Sequence, residues 1–410
     1  MSTSENTVIV GAAMTGAKAA QTLRDEGYDG SVILIGDEPV RPYERPPLSK
    51  TYLRGETDFD GAAIHPADYY REHDIELRTS TTVTAIDPAA RTVTLASGEA
   101  LPYHRLLLAT GARPRTLPVP GADLPGVHLL RTVADSDALR HAITESRSVV
   151  VIGGGWIGSE VAASARQLGA EVAVVELGSV PLERVLGTEM GTVYRDVHTD
   201  HGVRFHFGVQ AQAVRGGGRA EEVVLSDGTV LAAEVVVVGV GVVPRTELAE
   251  AAGLDLDNGV VVDEYLATAT PGVYAAGDVA NAYHPLYREH IRLEHWSAAL
   301  NQGPAAARNM LGQATPYEKI PYFFSDQYDL GMEYRGWAPS WDQVVFRGPV
   351  DRREFLCFWL RASRVVAALS VNVWDLGQTL EDLVRAQLAV DPTILADPDT
   401  DLAALVDAAT

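Results

Sequence analysis

The sequence holds one cysteine in 410 residues, Cys357. A lone thiol closes no internal disulfide, makes no CxxC redox pair and completes no cysteine zinc site. Redox chemistry in this chain therefore requires a bound cofactor. Positive charge is also scarce: 33 Lys and Arg stand against 55 Asp and Glu, a net charge of −22. That balance argues against nucleic acid, where cations must neutralise phosphates, and against an anionic membrane surface. Long apolar runs are missing as well. The richest, AAEVVVVGVGVV around residues 235–238, is strand-length and well short of the ~20 residues a membrane helix needs. The opening MSTSENTVIVG lacks a basic stretch followed by an apolar one, so no signal peptide is expected. The reading is a soluble cytoplasmic protein without a metal site.

What is present is core-forming material. Apolar residues make up 46% of the chain and charged residues 21%, which excludes a mainly disordered chain or a fibre. One core stops growing near ~250–300 residues, so two or three domains are expected.

The chain opens with a βαβ pattern: an apolar strand at 7–10, a small-residue turn at 11–16, a helical pattern at 17–26 and a buried strand at 31–36. The pattern returns with a strand at 148–152, a glycine turn at 153–158, a helix at 159–168 and a strand at 171–177. Two such units imply two dinucleotide sites, normally on two domains. Between them, residues 103–115 read as a buried strand into a Gly-Ala-Arg-Pro turn, and six prolines and glycines between 113 and 127 mark a domain crossover. Residues 234–244 and 271–279 read as further buried strands with glycine exits. From about Pro316 the chain turns aromatic, with strands expected at 343–346 and 354–360 and a small helix in the acidic tail. This predicts a third, α+β domain.

The second turn, Gly153-Gly154-Gly155-Trp156-Ile157-Gly158, is a full G-x-G-x-x-G. Gly153 permits the tight turn, Gly155 lets the backbone approach a pyrophosphate, and Gly158 allows close helix packing. Glu176, roughly 20 residues on, stands where an acid takes an adenosine ribose hydroxyl. A carboxylate there repels the 2′-phosphate of NADP. The reading therefore favours NADH over NADPH, with Arg184 as the one nearby cation that could turn inward. In the first turn, Gly11-Ala12-Ala13-Met14-Thr15-Gly16, Ala13 replaces the middle glycine and weakens the motif. The next strand ends in Asp37 and Glu38, and either acid suits the ribose, with Asp37 preferred. The segment RPYERPPLSK fixes Arg45 and Lys50 in a proline-stiffened loop. A placed cation suits a flavin ring, where it stabilises developing negative charge. Cys357 sits in an apolar strand and reads as a buried core thiol.

GDEPVRPYERPPLSKTYLRGE, LLLATGARPR, VVIGGGWIGSEVAASARQLGAEVAVVE, TPGVYAAGDVA and PYFFSDQYDLG follow one another along the chain. In that order they resemble the FAD-dependent NAD(P)H:ferredoxin reductases of the putidaredoxin reductase and biphenyl-dioxygenase reductase type, from Val8 to the tail. The resemblance implies an α/β fold: two Rossmann-like dinucleotide-binding domains in the glutathione-reductase arrangement plus a C-terminal α+β domain. It places FAD on residues 1–112 with 243–315, NADH on 113–242, and the last domain on 316–410. By resemblance, Gly11, Thr15, Gly16, Asp37, Lys50, Val83, Arg131 and Asp278 fall on FAD positions, with Ala13, Met14, Glu38 and Arg45 beside them. Ala109, Thr110 and Gly111 form a crossover turn next to the cofactor. Gly277 belongs with Asp278, and Glu294, His295 and Trp296 match the pyrimidine edge. For NADH, Gly153, Gly155, Trp156, Ile157, Gly158 and Glu176 are joined by Gly239 and Gly241, an exit turn. Glu160 matches a carboxylate beside the nicotinamide and is expected to pair with Lys50, so the two carry the catalytic assignment.

The implied activity passes hydride from NADH to FAD and then single electrons to a separate two-iron, two-sulfur ferredoxin, since this chain has no four-cysteine cluster set. A haem monooxygenase or Rieske-type oxygenase would lie downstream. A quinone, oxygen or a rubredoxin is the alternative acceptor. A monomer or weak homodimer is expected. Against a net charge of −22, ferredoxin docking needs a local basic patch. The candidates are Arg288, Arg292, Arg308, Arg335, Arg352 and Arg353, with Tyr322, Phe323, Phe324 and Trp337 as an aromatic face.

Overall fold

A computed structural model describes residues 5–407. Within them the chain falls into two compact units. The first holds the N-terminal segment up to Glu44, then Phe59–Arg113 and Val243–Pro321. The second holds Arg45–Asp58, Pro114–Val242 and the chain from Tyr322 onward.

The first unit is built on a parallel sheet in the order Val273–Ala275, Arg105–Leu108, Asn6–Val10, Ser31–Ile35, Ile75–Arg78. Its strands are apolar almost throughout, without alternation, because both faces are covered. Val8, Ile9, Leu106 and Leu107 are fully buried at its centre. The helix Met14–Asp25 makes the crossover between the first two strands. It presents Ala17, Ala19, Ala20 and Leu23 inward, and small residues let the helix Trp296–Met310 come close. A Cβ at Gly303 would overlap the Thr15 carbonyl. Two three-stranded sheets accompany it: an antiparallel one of Val83–Asp87, Thr92–Leu95 and Ala100–Pro102, and one of Val260–Val262, Ala280–His284 and Glu289–Ile291.

The second unit repeats the scheme, with parallel strands in the order Arg204–Phe207, Glu171–Glu176, Ser148–Ile152, Val235–Val238, Val127–His128. The crossover helix is Trp156–Gln167, and a longer helix, Glu183–Asp200, is kinked at Gly187. The expected C-terminal domain is an antiparallel sheet in the order Tyr322–Gln327, Leu330–Gly336, Arg364–Val371, Phe355–Arg361, Gln343–Arg347. Short helices follow at Gly377–Ala386, Pro392–Ala396 and Leu402–Asp407.

Phe323, Met332, Tyr334, Trp359 and Leu369 on that sheet share one apolar cluster with Met190, Tyr194 and Val197 of the kinked helix. The Trp359 indole donates to the Leu186 carbonyl at 3.1 Å. Those contacts explain why the last segment belongs to the second unit. Cys357 lies at 0% exposure in the same cluster. Burial pushes its thiol well above the usual range, as an inert core thiol requires.

Two boundaries differ from the sequence reading. Both crossover helices begin three residues early, at Met14 and Trp156 rather than 17 and 159. Part of each glycine turn is therefore already the first helical turn. Residues 45–58 also pack in the second unit. Ser136 Oγ donates to the Leu48 carbonyl at 2.8 Å and Ser164 Oγ to the Ser49 carbonyl at 2.7 Å. The Tyr52 hydroxyl reaches Asp137 at 3.1 Å.

Candidate functional site

Each unit contains a helix start prepared for an anion. The helices Met14–Asp25 and Trp156–Gln167 have no side-chain cap and no acid in the first turn. By contrast Val133–Glu145 is closed by a full capping box from Thr132 and Asp135. Uncapped first-turn N–H groups need an acceptor, and a pyrophosphate supplies one. Space for it exists: apart from the adjoining backbone, no atom of the described residues lies within 4 Å of where a Cβ on Gly155 would stand. Behind the helix the packing is tight, for a Cβ on Gly158 would overlap the Gly153 carbonyl. Gly239 lies behind the same turn, and its N–H donates to the Ile152 carbonyl at 2.8 Å. Gly241 follows and accepts from the Arg115 N–H at 2.9 Å.

Ala13 costs the first unit less than its sequence suggests. Its backbone is extended (φ −109°, ψ −160°), much like Gly155 (φ −77°, ψ −171°). No left-handed glycine conformation is required there. Gly11 and Gly16 keep their packing roles: a Cβ on either would overlap the carbonyl of Ala109 or of Gly11.

Around the first loop, Gly277 takes a left-handed φ of +78°, and a Cβ there would collide with Thr15 Oγ1. The Gly277 N–H donates to Gln302 at 2.8 Å, and Asp278 beside it is buried. Thr110 Oγ1 donates to the Arg245 carbonyl at 2.7 Å, and the Arg245 N–H returns to the Gly111 carbonyl at 2.9 Å. Asp37 is exposed and pairs with Arg245 at 3.0 Å, whereas Glu38 is half-buried and accepts from the Tyr43 hydroxyl. His295 and Trp296 stand at the start of the helix Trp296–Met310, and desolvation pushes the His295 imidazole down to about 4. Glu294 is exposed and pairs with Arg292 at 2.6 Å. Val83 is half-buried at the start of its strand.

In the second unit, the Glu176 carboxylate accepts from the Gly154 N–H at 2.6 Å and the Gly178 N–H at 2.8 Å. It is thus held on the glycine loop. Glu183, not singled out in the sequence, adds a second carboxylate: it accepts from the Ser179 N–H at 2.7 Å, and a Cβ on Gly178 would meet it at 2.5 Å. The Ser179 bonds hold Glu183 below the usual carboxylate range. Arg184 is exposed on the first turn of the kinked helix. Arg45 donates to the Arg131 carbonyl, and the Arg131 N–H donates to Asp135 at 3.0 Å. Arg45 therefore ties the proline loop to the capped helix.

The sequence reading expected Lys50 and Glu160 to pair, and they do, at 3.3 Å with both side chains buried. Two prolines open a short 3₁₀ turn, Pro46–Ser49, that delivers Lys50. Glu160 comes from the second turn of Trp156–Gln167. Its other oxygen accepts from Ser49 Oγ at 2.5 Å, and Ser325 Oγ donates to the oxygen shared with Lys50 at 2.7 Å. The Lys50 ammonium lies 4.9 Å from the centre of the Phe324 ring. Ser49 and Ser325 lie in segments that carry the sequence resemblance but were given no role there; only tertiary structure brings them to Glu160.

The proposed basic patch is mostly neutralised. Arg292 pairs with Glu294, Arg308 with Glu26, Arg335 with Glu333, and Arg353 with both Asp200 and Asp329. Arg288 and Arg352 are exposed. Phe323 is core, while Tyr322, Phe324 and Trp337 are half-buried.

Known proteins agree with this architecture. The family model for pyridine nucleotide-disulphide oxidoreductases matches residues 5–303, and the model for the reductase C-terminal domain matches residues 322–406. The ferredoxin–NAD(+) reductase component of an anthranilate 1,2-dioxygenase system from Burkholderia cepacia is 40% identical, over 96% of this chain and 98% of its own. Among solved structures, a ferredoxin reductase from Rhodopseudomonas palustris superposes with a TM-score of 0.95 at 40% identity, covering 99% of this chain and 100% of that one. The reductase in a covalent putidaredoxin reductase–putidaredoxin complex gives 0.94 at 35% identity, covering 99% of each chain. Among the described residues no helix is long and apolar enough to cross a membrane. The chain belongs to the pyridine nucleotide-disulphide oxidoreductase family, and residues 322–406 form its reductase C-terminal domain.

Proposed function

We propose that this protein is an FAD-dependent NADH:ferredoxin reductase. The observation that carries the reading is the pair of uncapped glycine-loop helices, one in each unit, together with a buried cation held by Glu160. FAD, when bound, accepts a hydride and gives up electrons singly, which a nicotinamide does not readily do. The chain's own residues bind, orient and polarise. Gly11, Met14, Thr15, Gly16, Gly277 and Asp278 cradle FAD, with Ala109, Thr110, Gly111, His295 and Trp296 beside it. The turn from Gly153 to Gly158 and the Gly239 and Gly241 exit hold the nicotinamide cofactor. Lys50 supplies a fixed positive charge at the hydride-transfer site, and Glu160 neutralises and steers it.

NADH is preferred over NADPH. Glu176 and Glu183 both face Gly178, so a 2′-phosphate there would meet two carboxylates. The acceptor is a separate ferredoxin, because one buried cysteine cannot hold a cluster. The dioxygenase-system reductase and the putidaredoxin reductase complex support that acceptor. An oxygenase lies downstream of the ferredoxin.

Anaerobic stopped-flow of the holoprotein at the flavin band tests the reading. NADH should bleach the band much faster than NADPH, and oxidised 2Fe-2S ferredoxin should restore it rapidly. Bleaching without ferredoxin turnover would move the acceptor to a quinone, oxygen or rubredoxin.

A further inference from the structure

Behind Glu160 a line of hydrogen bonds continues within the second unit. Ser325 Oγ, which donates to Glu160, accepts from the Gln327 amide at 3.1 Å. The Gln327 side-chain oxygen Oε1 meets His198 Nε2 at 2.7 Å, and the Tyr328 hydroxyl lies 3.5 Å from His198 Nδ1. Ser325 and Gln327 are 1% exposed and His198 is fully buried. Ser325 and Gln327 sit two apart on the strand Tyr322–Gln327, so they share a face. His198 comes from the last turn of the kinked helix.

The direction of every bond follows from one end. An ionised carboxylate only accepts, so Ser325 must donate to Glu160. Its oxygen then accepts the Gln327 N–H, which turns the amide oxygen toward His198. Nε2 must therefore carry the proton, leaving Nδ1 as an acceptor facing Tyr328. The imidazole is neutral near pH 7, since burial pushes it down to about 4. Each donor points toward Glu160, and hydrogen bonds aligned this way polarise one another. Gln327 has no acidic proton to pass on. The line therefore fixes charge rather than conducting protons.

We propose that Ser325, Gln327 and His198 are positioning residues of the hydride-transfer site, a one-way chain of hydrogen bonds that fixes the Glu160 carboxylate and, through it, the Lys50 ammonium. The proposal rests on the reductase reading above. Apart from the Phe324 ring at 4.9 Å, the buried Lys50 ammonium is held by its 3.3 Å contact with Glu160. With Ser49 and Ser325 each holding a carboxylate oxygen, the ammonium meets an immobile partner.

Two measurements test it. The first follows NADH-driven flavin bleaching of the holoprotein in Ser325→Ala and Ser325→Thr, each also made in a Lys50→Met background. Loss of one hydrogen bond to a charged group lowers the limiting rate about tenfold. The NADH dissociation constant should stay within about twofold, because no bond to NADH is removed. Ser325→Thr restores the hydroxyl and the rate. In Lys50→Met the alanine change should cost no further rate, since Ser325 acts through Lys50. An equal loss in both backgrounds, or no loss in either, overturns the proposal. The second measurement is ¹⁵N NMR of the histidines, which needs no turnover. His198 should show the Nε2–H tautomer alone, and Gln327→Leu should abolish that preference. An Nδ1–H tautomer in the unmutated protein would reverse the chain and overturn it. Wild-type protein that NADH does not bleach would overturn the reductase reading itself, a failure visible before any variant is made.

Discussion

Replacing Glu160 with Gln keeps the side chain's shape and removes its charge. The Lys50 ammonium then remains at 7% exposure without a counter-ion. Breaking a buried pair from one side costs about 3–5 kcal/mol, because the surviving charge is left desolvated. The Phe324 ring, 4.9 Å from the ammonium, offsets about 0.5–2 kcal/mol of that at most. The net loss is thus about 1–4.5 kcal/mol. For a unit of this size about 2–4 °C of melting temperature follows each kcal/mol, so Glu160→Gln should melt roughly 2–18 °C lower. Lys50→Met in the same chain removes the stranded charge and should return most of that loss. The assay is differential scanning calorimetry of the FAD-loaded single and double variants under one buffer. The hydride rate should fall in both, since Lys50 is either unsteered or absent. The decisive result is the ordering of stabilities. If Glu160→Gln melts with the wild type, or the double variant melts no higher than Glu160→Gln, the pair is not a desolvated ion pair and its assignment fails.

Glu176→Ala removes a carboxylate held at 2.6 and 2.8 Å by the glycine loop. NADH efficiency should drop about 10–100-fold, the loss of a charge-assisted bond, with FAD content unchanged; equal kinetic constants before and after would remove Glu176 from the site. Glu183→Ala should narrow the preference for NADH by raising NADPH use, read from the ratio of the two kcat/KM values. Gly277→Ala puts a methyl on a residue at φ +78° and against Thr15 Oγ1. A strain of about 1–3 kcal/mol is expected, together with loss of bound flavin by absorbance; full flavin content would show that the Gly277 turn does not shape the cradle. Acid should also destabilise the protein. Folded His198 has its pKa pushed from 6.5 to about 4. Between those values the unfolded chain takes up a proton that the folded chain refuses. The stability is complete above pH 6.5 and falls by about 3 kcal/mol as pH drops to 4. The melting temperature of wild type should therefore fall more steeply with acid than that of His198→Asn.

The glycine loops were legible because their chemistry is local. A strand, a turn and a helix lie within 20-odd residues, and the acid after the second strand follows at a fixed reach. The helices began earlier than the pattern suggested. Met14, Thr15 and Gly16 look like turn residues, yet they take the first helical turn, entered directly from the extended Ala13. Lys50 and Glu160 were legible as a pair only through resemblance, since 110 residues separate them. The rest of their surroundings was not. Ser49, Ser325 and Gln327 fall in recognised segments and His198 in none, but nothing local gives any of the four a role. Their meaning comes from burial, which makes an unpaired polar group costly and so forces each to find a partner. The state of the candidate basic residues was not legible for the opposite reason. Sequence shows where arginines are but not whether an acid has folded beside them; Arg292, Arg308, Arg335 and Arg353 each found one. In an acidic chain that outcome is the default, because carboxylates outnumber cations 55 to 33. A ferredoxin surface on this protein must therefore draw on shape and apolar contact as much as on charge, and its association rate should depend only weakly on salt. A steep fall in the second-order rate between low and high ionic strength would show instead that exposed cations such as Arg288 or Arg352 steer the encounter.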